Sequence, residues 1–342
     1  MVRQDAGVNP RLRARPRRAR LHLGRGSVLE LTALAVSIEK LYDTFSGYRL
    51  RAFSPCPTCY PEADVLRIER QMRTVPLREL TLDELSHFYS DGMLTWGDVD
   101  DFRHLLPRLM ELFAGYYLDE APVWSGDDRS LEMDLDPDLA MLRFADGKWS
   151  GWPAAERAAV DEFLFALWSA FLGVPHQQEV ELGHWVDTGL LAALLRLVPD
   201  PRRYLAHWRA SGWPEIRYLA WFIANDELSR WFIWEDHQGR STSASWELIR
   251  AWLDEPATVA QLERAARIEA PRASAWEAVY GLEVLQRGRR AVTVDTGVWL
   301  PDQHSIERAA SLGVVLPDLT DWEARLLARI ERRRESRPES HR

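Results

Sequence analysis

Apolar residues recur at helical spacing over most of this chain, and this pattern limits the fold more than any other sequence feature. In the segment from Val160 to Phe171, large apolar residues occupy positions i, i+3, i+4, i+7, i+8 and i+11. Such positions lie on one stripe of a helix. Because Phe165 and Ala166 widen the stripe, we expect this helix to be buried on more than one side.

Capping residues mark where several predicted helices begin. Thr81 with Glu84, and Thr320 with Glu323, fit a capping box, in which each side chain satisfies a backbone group of the first helical turn. Asp98 precedes another apolar stripe, where a carboxylate accepts the free N–H groups of a helix start. Periodicity and caps together predict helices near residues 28 to 45, 62 to 73, 82 to 93, 98 to 116, 137 to 145, 153 to 172, 186 to 198, 201 to 210, 214 to 234, 244 to 254, 257 to 269, 273 to 287 and 321 to 335.

We therefore expect an all-α protein, built as an irregular helical array or a solenoid-like bundle. The triplet Gly-Trp-Pro occurs at residues 151–153 and again at 212–214, each time before a helical stripe. A motif repeated in this way is typical of stacked helical hairpins. The one persuasive strand pattern covers residues 291–300, which predicts at most a minor β-hairpin.

Composition divides the chain into five predicted parts. Residues 1–26 form a disordered basic arm, and residues 336–342 form a disordered tail. Residues 27–121 form an N-terminal helical subdomain with a Cys-x-x-Cys turn, and residues 137–335 form a C-terminal helical subdomain. Between them, residues 122–136 are rich in Ser, Gly and Asp, which is typical of a long surface loop.

The net charge of −9 is unevenly distributed along the chain. Residues 1–26 carry eight arginines and one aspartate, a local charge of +7, so the remainder carries −16. An acidic body repels a phosphate backbone, so we expect no nucleic-acid partner except through the arm. The same acidic body favours a basic protein as partner.

Two further features of the sequence indicate a cytoplasmic protein. No stretch approaches 18 consecutive apolar residues, so no membrane-spanning helix and no membrane contact are expected. The two cysteines, Cys56 and Cys59, are too few and too close together for a secreted disulfide framework, which indicates a reducing compartment.

The spacing of Cys56 and Cys59 suits zinc binding or disulfide redox chemistry. A zinc site needs two more ligands, and the nearest histidines, His87 and His104, do not match compact zinc-finger spacing. A redox pair favours a preceding strand, which the sequence supports poorly. A third interpretation is that both thiols pack as small apolar groups. Zinc is the single cofactor that the sequence suggests, and this interpretation requires stoichiometric metal in the purified protein.

A second polar cluster occupies residues 95–108. Its carboxylates suit the positive end of a helix dipole, so helix capping accounts for them and no functional role is needed. Pro107 predicts a kink or a restart of this helix. A catalytic interpretation pairs one aspartate with His104 as acid and base. Another treats the cluster as a partner-binding surface, whose candidate residues are Trp96, Asp98, Asp101, Arg103, His104 and Arg108.

The chain is rich in tryptophan, with 16 residues, which either fill contacts between helices or line a groove. Our leading hypothesis is non-catalytic: a helical scaffold presents an acidic, Trp-rich surface to another protein, as an accessory or immunity-type partner does. One alternative is an α/α-toroid hydrolase that acts on a glycan through paired carboxylates. Another is a zinc-stabilised regulator.

The region from residue 50 to residue 115 resembles a group of bacterial proteins without an established activity. The matching residues are Pro76-Leu77-Arg78-Glu79-Leu80-Thr81, Leu85, Thr95-Trp96-Gly97-Asp98 and His104-Leu105-Leu106-Pro107-Arg108, with a Cys-rich turn just upstream. The resemblance implies a bacterial cytosolic protein and lends no catalytic residues. It also implies that Cys56 and Cys59 act as a unit.

Overall fold

A computed structural model of the protein describes residues 28–51, 62–118, 137–173, 189–212, 215–224, 243–270, 275–287 and 301–316. Every regular element within these ranges is helical, which confirms the predicted all-α fold. None of the helices in these ranges is long and apolar enough to span a membrane. The following predictions lie outside the described residues: the arm at 1–26, Cys56 and Cys59, the loop at 122–136, the hairpin at 291–300, the helix at 321–335 and the tail at 336–342.

The α-helices of the described residues follow the predicted order closely. They are α1 (Val28–Thr44), α2 (Glu62–Thr74), α3 (Leu82–Asp91), α4 (Val99–Leu118), α5 (Pro137–Asp146), α6 (Ala154–Gly173), α7 (Gly189–Leu197), α8 (Arg202–Ala210), α9 (Glu215–Ala224), α10 (Ser243–Leu253), α11 (Pro256–Glu269), α12 (Ala275–Arg287) and α13 (Gln303–Leu312). Two short 3₁₀ turns and a π-helical turn at Gly92–Trp96 connect some of them. The sequence prediction missed α13. Pro107, which the sequence predicted to kink or restart this helix, lies inside α4, so the helix does not restart there.

Helix α6 is the centre of the fold. It runs antiparallel to α1, because Lys40 near the end of α1 bonds Glu162 at 2.6 Å, while Tyr48 beyond that end bonds Glu156 near the start of α6 at 2.6 Å. Helices α4, α7, α8 and α9 also contact α6. Its apolar residues are buried on several sides, as the wide stripe predicted.

Aromatic rings fill the contacts around α6. Trp168 meets Trp208 of α8 edge to face, with ring centroids 4.8 Å apart, and Trp208 contacts Phe222 of α9 at 5.3 Å and Trp252 of α10 at 6.2 Å. All tryptophans with described side chains are 0 to 8% exposed: Trp96, Trp149, Trp152, Trp168, Trp208, Trp221, Trp252 and Trp276. These rings therefore build the interior, and none of the eight lines an open groove.

One hydrophobic cluster runs through both predicted subdomains. Leu34 of α1 and Leu164 of α6 are both fully buried in it, although they lie on opposite sides of the predicted boundary at residues 122–136. The N-terminal helices α1 and α4 therefore use α6 as their packing partner.

Helices α9 and α12 cross at close range and enclose a buried ion pair. A Cβ atom at Gly281 would lie 2.9 Å from the Cα atom of Ala220, so glycine is required at the crossing. Next to it, Arg217 bonds both carboxylate oxygens of Glu277, and the two side chains are only 8% and 2% exposed. Burial raises the pKa of Glu277, and Arg217 opposes that effect.

Replacing Arg217 by methionine leaves Glu277 buried without its cation, so we expect the free energy of unfolding to fall by about 3–5 kcal/mol. Without the cation, burial raises the pKa of Glu277 further. The folded variant then holds a proton more tightly than the unfolded chain, so its stability is expected to decrease as the pH rises from acid to neutral. Urea unfolding at an acidic pH and at neutral pH measures this change in the free energy of unfolding.

The matched control replaces both partners, with Arg217→Met and Glu277→Leu in one chain. Because no charge is left unpaired, we expect this variant to recover most of the stability lost in Arg217→Met. If the single and double variants lose the same free energy of unfolding, the unpaired charge is not the cause of the loss.

Candidate functional site

The candidate site lies where the turn after α1 meets the first turns of α4 and α6. We call it the Asp101 cluster, and its residues are Tyr48, Asp100, Asp101, Arg103, His104 and Glu156. Helix α6 supplies Glu156 and α4 supplies the central residues, so the antiparallel pairing of α1 with α6 brings the site together.

Asp98 and Gly97 prepare the start of α4. The Asp98 carboxylate accepts hydrogen bonds from the backbone N–H groups of Asp100 at 2.8 Å and Asp101 at 3.0 Å, which confirms the predicted cap. A Cβ atom at position 97 would lie 2.7 Å from Oδ2 of Asp101. Glycine at position 97 therefore leaves room for the Asp101 carboxylate.

Asp101 is fully buried and binds backbone on both sides. Its Oδ1 accepts from the N–H of Arg51 at 2.6 Å, and its Oδ2 accepts from the N–H of Asp98 at 3.2 Å. Arg73 of α2 donates to the carbonyl oxygen of Leu50 at 3.3 Å. These bonds fix the chain just before the segment that contains the two cysteines.

Arg103 connects the start of α4 with α6. Its guanidinium lies 3.3 Å from Asp100 and 3.3 Å from Glu156, and only 16% of its side chain is exposed. The same group lies over the ring of Trp152 at 4.7 Å and over that of Tyr48 at 5.3 Å. Ion pairs and cation–π contacts together hold the arginine inward.

Tyr48 and His104 are both held in their neutral forms. Tyr48 donates to Glu156 at 2.6 Å, and burial together with this carboxylate raises the pKa of Tyr48. His104 Nδ1 lies 3.0 Å from the carbonyl oxygen of Tyr48, which only accepts, so the ring nitrogen donates. Burial lowers the pKa of His104.

Arg108 lies further along α4 and belongs to a separate set of contacts. It donates to the carbonyl oxygen of Leu80 at 2.7 Å and to Glu111 at 2.7 Å. Tyr42 of α1 also donates to Glu111, at 2.6 Å. Arg108 therefore joins α4 to the chain before α3, and Glu111 joins α4 to α1.

The structure places the predicted binding residues in three groups. Asp98, Asp101, Arg103 and His104 meet at the start of α4, Arg108 lies apart, and Trp96 points into the interior. Trp96 and Asp101 are 0% exposed, so these two are interior residues and do not form part of a contact surface. Asp98 alone of the set is exposed. That the group binds a partner stays a prediction.

The geometry gives Asp101 a structural role. Both of its oxygens accept backbone N–H groups, and His104 donates to a carbonyl. This arrangement holds the chain in place and does not pair the aspartate with the histidine as acid and base.

The sequence analysis missed Tyr48 and Glu156. They lie 108 positions apart, and no local motif marks either of them. The helical stripe of α6 was recognised, but its antiparallel pairing with α1 was not, and only that pairing brings the two residues together.

Among the residues with described side chains, no group of three or more His, Cys, Asp or Glu residues is arranged to hold a metal ion. Zinc binding by Cys56 and Cys59 stays a prediction, because both residues lie outside the described ranges. No protein-family model matches the chain, and neither a curated protein nor a solved structure matches it.

Replacing Asp101 by asparagine substitutes an NH₂ group for one oxygen, so one backbone N–H loses its buried acceptor. We expect the free energy of unfolding to fall by about 1–3 kcal/mol. The control is Asp100→Asn, which removes a partly exposed ion pair and is expected to cost less than about 1 kcal/mol. Denaturant unfolding compares the two variants, and equal losses would contradict the role assigned to Asp101.

Replacing His104 by asparagine keeps a donor for the carbonyl of Tyr48 and removes the titrating group. Because the pKa of His104 is lowered in the fold, the unfolded chain binds the proton more tightly, and stability is lost as the pH falls below about 6.5. We expect a shallower loss in His104→Asn, measured by denaturant unfolding across that range. Burial also lowers the pKa of His207, so part of the slope should remain; an unchanged slope would contradict the prediction.

Proposed function

We propose that the protein is a non-catalytic helical scaffold that binds a basic protein partner through an acidic surface. We call residues Leu77–Leu118, which include α3 and α4, the acidic hairpin. The proposal rests on which charged side chains of this hairpin are exposed. Its arginines are engaged in bonds within the protein, while several of its carboxylates face outward.

The arginines of the acidic hairpin have fixed partners. Arg103 and Arg108 are only 16% and 14% exposed, and each bonds a carboxylate. Arg78 is more exposed, but it forms a bidentate pair with Glu39 of α1 at 2.9 and 2.6 Å. Few positive charges of the hairpin are therefore free to meet a partner.

The carboxylates of the same hairpin are more accessible. Glu79 and Asp98 are exposed, and Asp100 is 37% exposed. The chain outside the basic arm carries a net charge of −16, which adds a long-range attraction for a basic partner. This combination supports recognition by charge complementarity, which sets specificity and association rate.

The sequence hypothesis was an acidic, Trp-rich contact surface. The proposal keeps the acidic surface, but for the described residues it no longer assigns tryptophans to that surface. Eight tryptophans are buried, so they stiffen the scaffold and do not supply its contact surface. The geometry of the Asp101 cluster supports a non-catalytic role as well, because both oxygens of Asp101 accept backbone N–H groups and His104 donates to a carbonyl oxygen.

The test is affinity capture of partners from the native host, followed by binding measurements with the purified partner. Glu79→Lys reverses a charge on the acidic hairpin, and we expect it to weaken binding roughly threefold to tenfold. The matched control is Glu247→Lys, at an exposed glutamate on α10, which should leave affinity unchanged. Binding should also weaken as ionic strength rises above about 0.1 M.

Two results would count against the proposed function. One is equal weakening by Glu79→Lys and Glu247→Lys, because the attraction would then be spread over the whole surface. The other is a partner whose affinity does not depend on salt.

A further inference from the structure

Helix α1 carries a second apolar stripe, on the side opposite the stripe that packs on α6. Leu34 and Leu41 face the core and are 0% exposed, whereas Leu29 and Val36 are 80% and 63% exposed. Ala33 is exposed between them. Positions i, i+4 and i+7 lie on one line of a helix, and a continuous apolar line on an outer face is typical of a contact surface. We call Leu29, Ala33 and Val36 the outer stripe.

The cations near the end of α1 are engaged within the protein. Lys40 bonds Glu162 of α6 at 2.6 Å. Arg78, which lies in the 3₁₀ turn before α3, bonds Glu39 of α1 at 2.9 and 2.6 Å, and its guanidinium lies over the ring of Tyr42 at 3.7 Å. These contacts bring the 3₁₀ turn against the second half of α1.

Two carboxylates beside these pairs have no such partner. Asp43 follows Tyr42 on α1, and Glu79 follows Arg78 in the 3₁₀ turn. Both are exposed, and neither forms an ion pair with another described residue. The outer side of α1 is therefore apolar along the outer stripe and negative at the end of the helix.

The chain that leads into α1 contains the complementary residues in the complementary order. Residues 11–20 contain six arginines and no acid, and Leu21 and Leu23 follow them. Residues 24–27, which include two glycines, join Leu23 to Val28. Glycines permit a tight reversal of chain direction. A segment that turns back along α1 therefore meets the outer stripe with its leucines and the negative end with its arginines.

The lengths of the two segments agree with this order. Asp43 lies about 22 Å beyond Val28, since a helix rises about 1.5 Å per residue. An extended chain covers about 3.3 Å per residue, so about seven residues span the same length. Counted back from Leu23, this span brings Arg17 and Arg18 level with Asp43.

We propose that residues 11–23 dock on the outer side of α1 in the same chain, with the leucines on the outer stripe and the arginines at the negative end. The connection through residues 24–27 makes the contact intramolecular, and a short connection gives a high effective concentration, so a small contact area is sufficient. The docked segment then occupies the surface next to Glu79 and competes there with a basic partner. This competition rests on the proposed function, whereas the docking itself does not.

The test is zero-length carbodiimide cross-linking of the full chain, which joins an amine to a carboxylate that it contacts. Residues 1–27 contain no lysine, so Arg18→Lys introduces a reactive amine and keeps the charge. We expect the new lysine at position 18 to couple to Asp43 or Glu79 roughly fivefold more often than to Glu247, an exposed glutamate on α10. Mass spectrometry of the digested protein identifies the linked residues, and coupling of Lys40 to Glu162 is the internal positive control.

The apolar part of the contact has its own matched variants in the Arg18→Lys chain. Replacing Leu29 and Val36 together by serine changes only exposed side chains, and we expect it to lower coupling at Asp43 roughly threefold, because the leucines lose their apolar contact. The control is Ile268→Ser on α11, where the side chain is 67% exposed, and coupling should be unchanged.

Three results would overturn the docking while the Lys40 link forms normally. One is coupling that is spread evenly over exposed carboxylates, and another is coupling unaffected by the Leu29 and Val36 replacements. The third is coupling only between molecules, detected in a mixture of ¹⁵N-labelled and unlabelled chains. No partner protein is required, so a failure of the docking and a failure of the proposed partner binding are separate results.

Discussion

The contact between Trp168 and Trp208 joins the N-terminal and C-terminal helices of the described residues in one fold. Trp168 lies in the middle of α6, whose other faces pack on α1 and α4, so the ring joins the N-terminal helices to α8, α9 and α10. Edge-to-face ring pairs add directional preference to the burial of a large apolar area. This preference orients the C-terminal helices on α6, and a smaller side chain would leave a cavity that neighbouring helices fill only in part.

A second constraint comes from carboxylates that lie inside this apolar frame. Asp101, Glu156, Glu277 and Glu283 are each 8% exposed or less, and every one of them has an arginine, a tyrosine hydroxyl or backbone N–H groups as partner. An isolated buried charge is costly, so the helices pack stably only in an arrangement that gives each acid its partner. The buried acids therefore select one register between helices, in addition to the selection made by the rings.

Local sequence patterns predicted local structure well. The Thr81–Glu84 capping box, the Asp98 cap and the wide stripe of α6 are all present, because each depends on residues within a few positions of one another. Helix α13 was missed because its apolar residues are few and largely separated by polar ones. The pairing of Tyr48 with Glu156, and the choice between tryptophans in helix contacts and tryptophans in a groove, were out of reach, since both depend on which helices meet.

Carboxylates remain exposed near the start of α4 because the neighbouring arginines are bonded inside the fold. Near the start of α4, Arg103 neutralises Glu156 inside the fold, and Arg108 satisfies a backbone carbonyl as well as Glu111. Arginines engaged in this way cannot screen the exposed carboxylates of Glu79 and Asp98. Burial raises the pKa of Tyr48 and lowers the pKa of His104, so both side chains favour their neutral forms and leave the charge of this region to its carboxylates and arginines. Exposed carboxylates on this helical frame support the proposed attraction of a basic partner, because charge complementarity favours association.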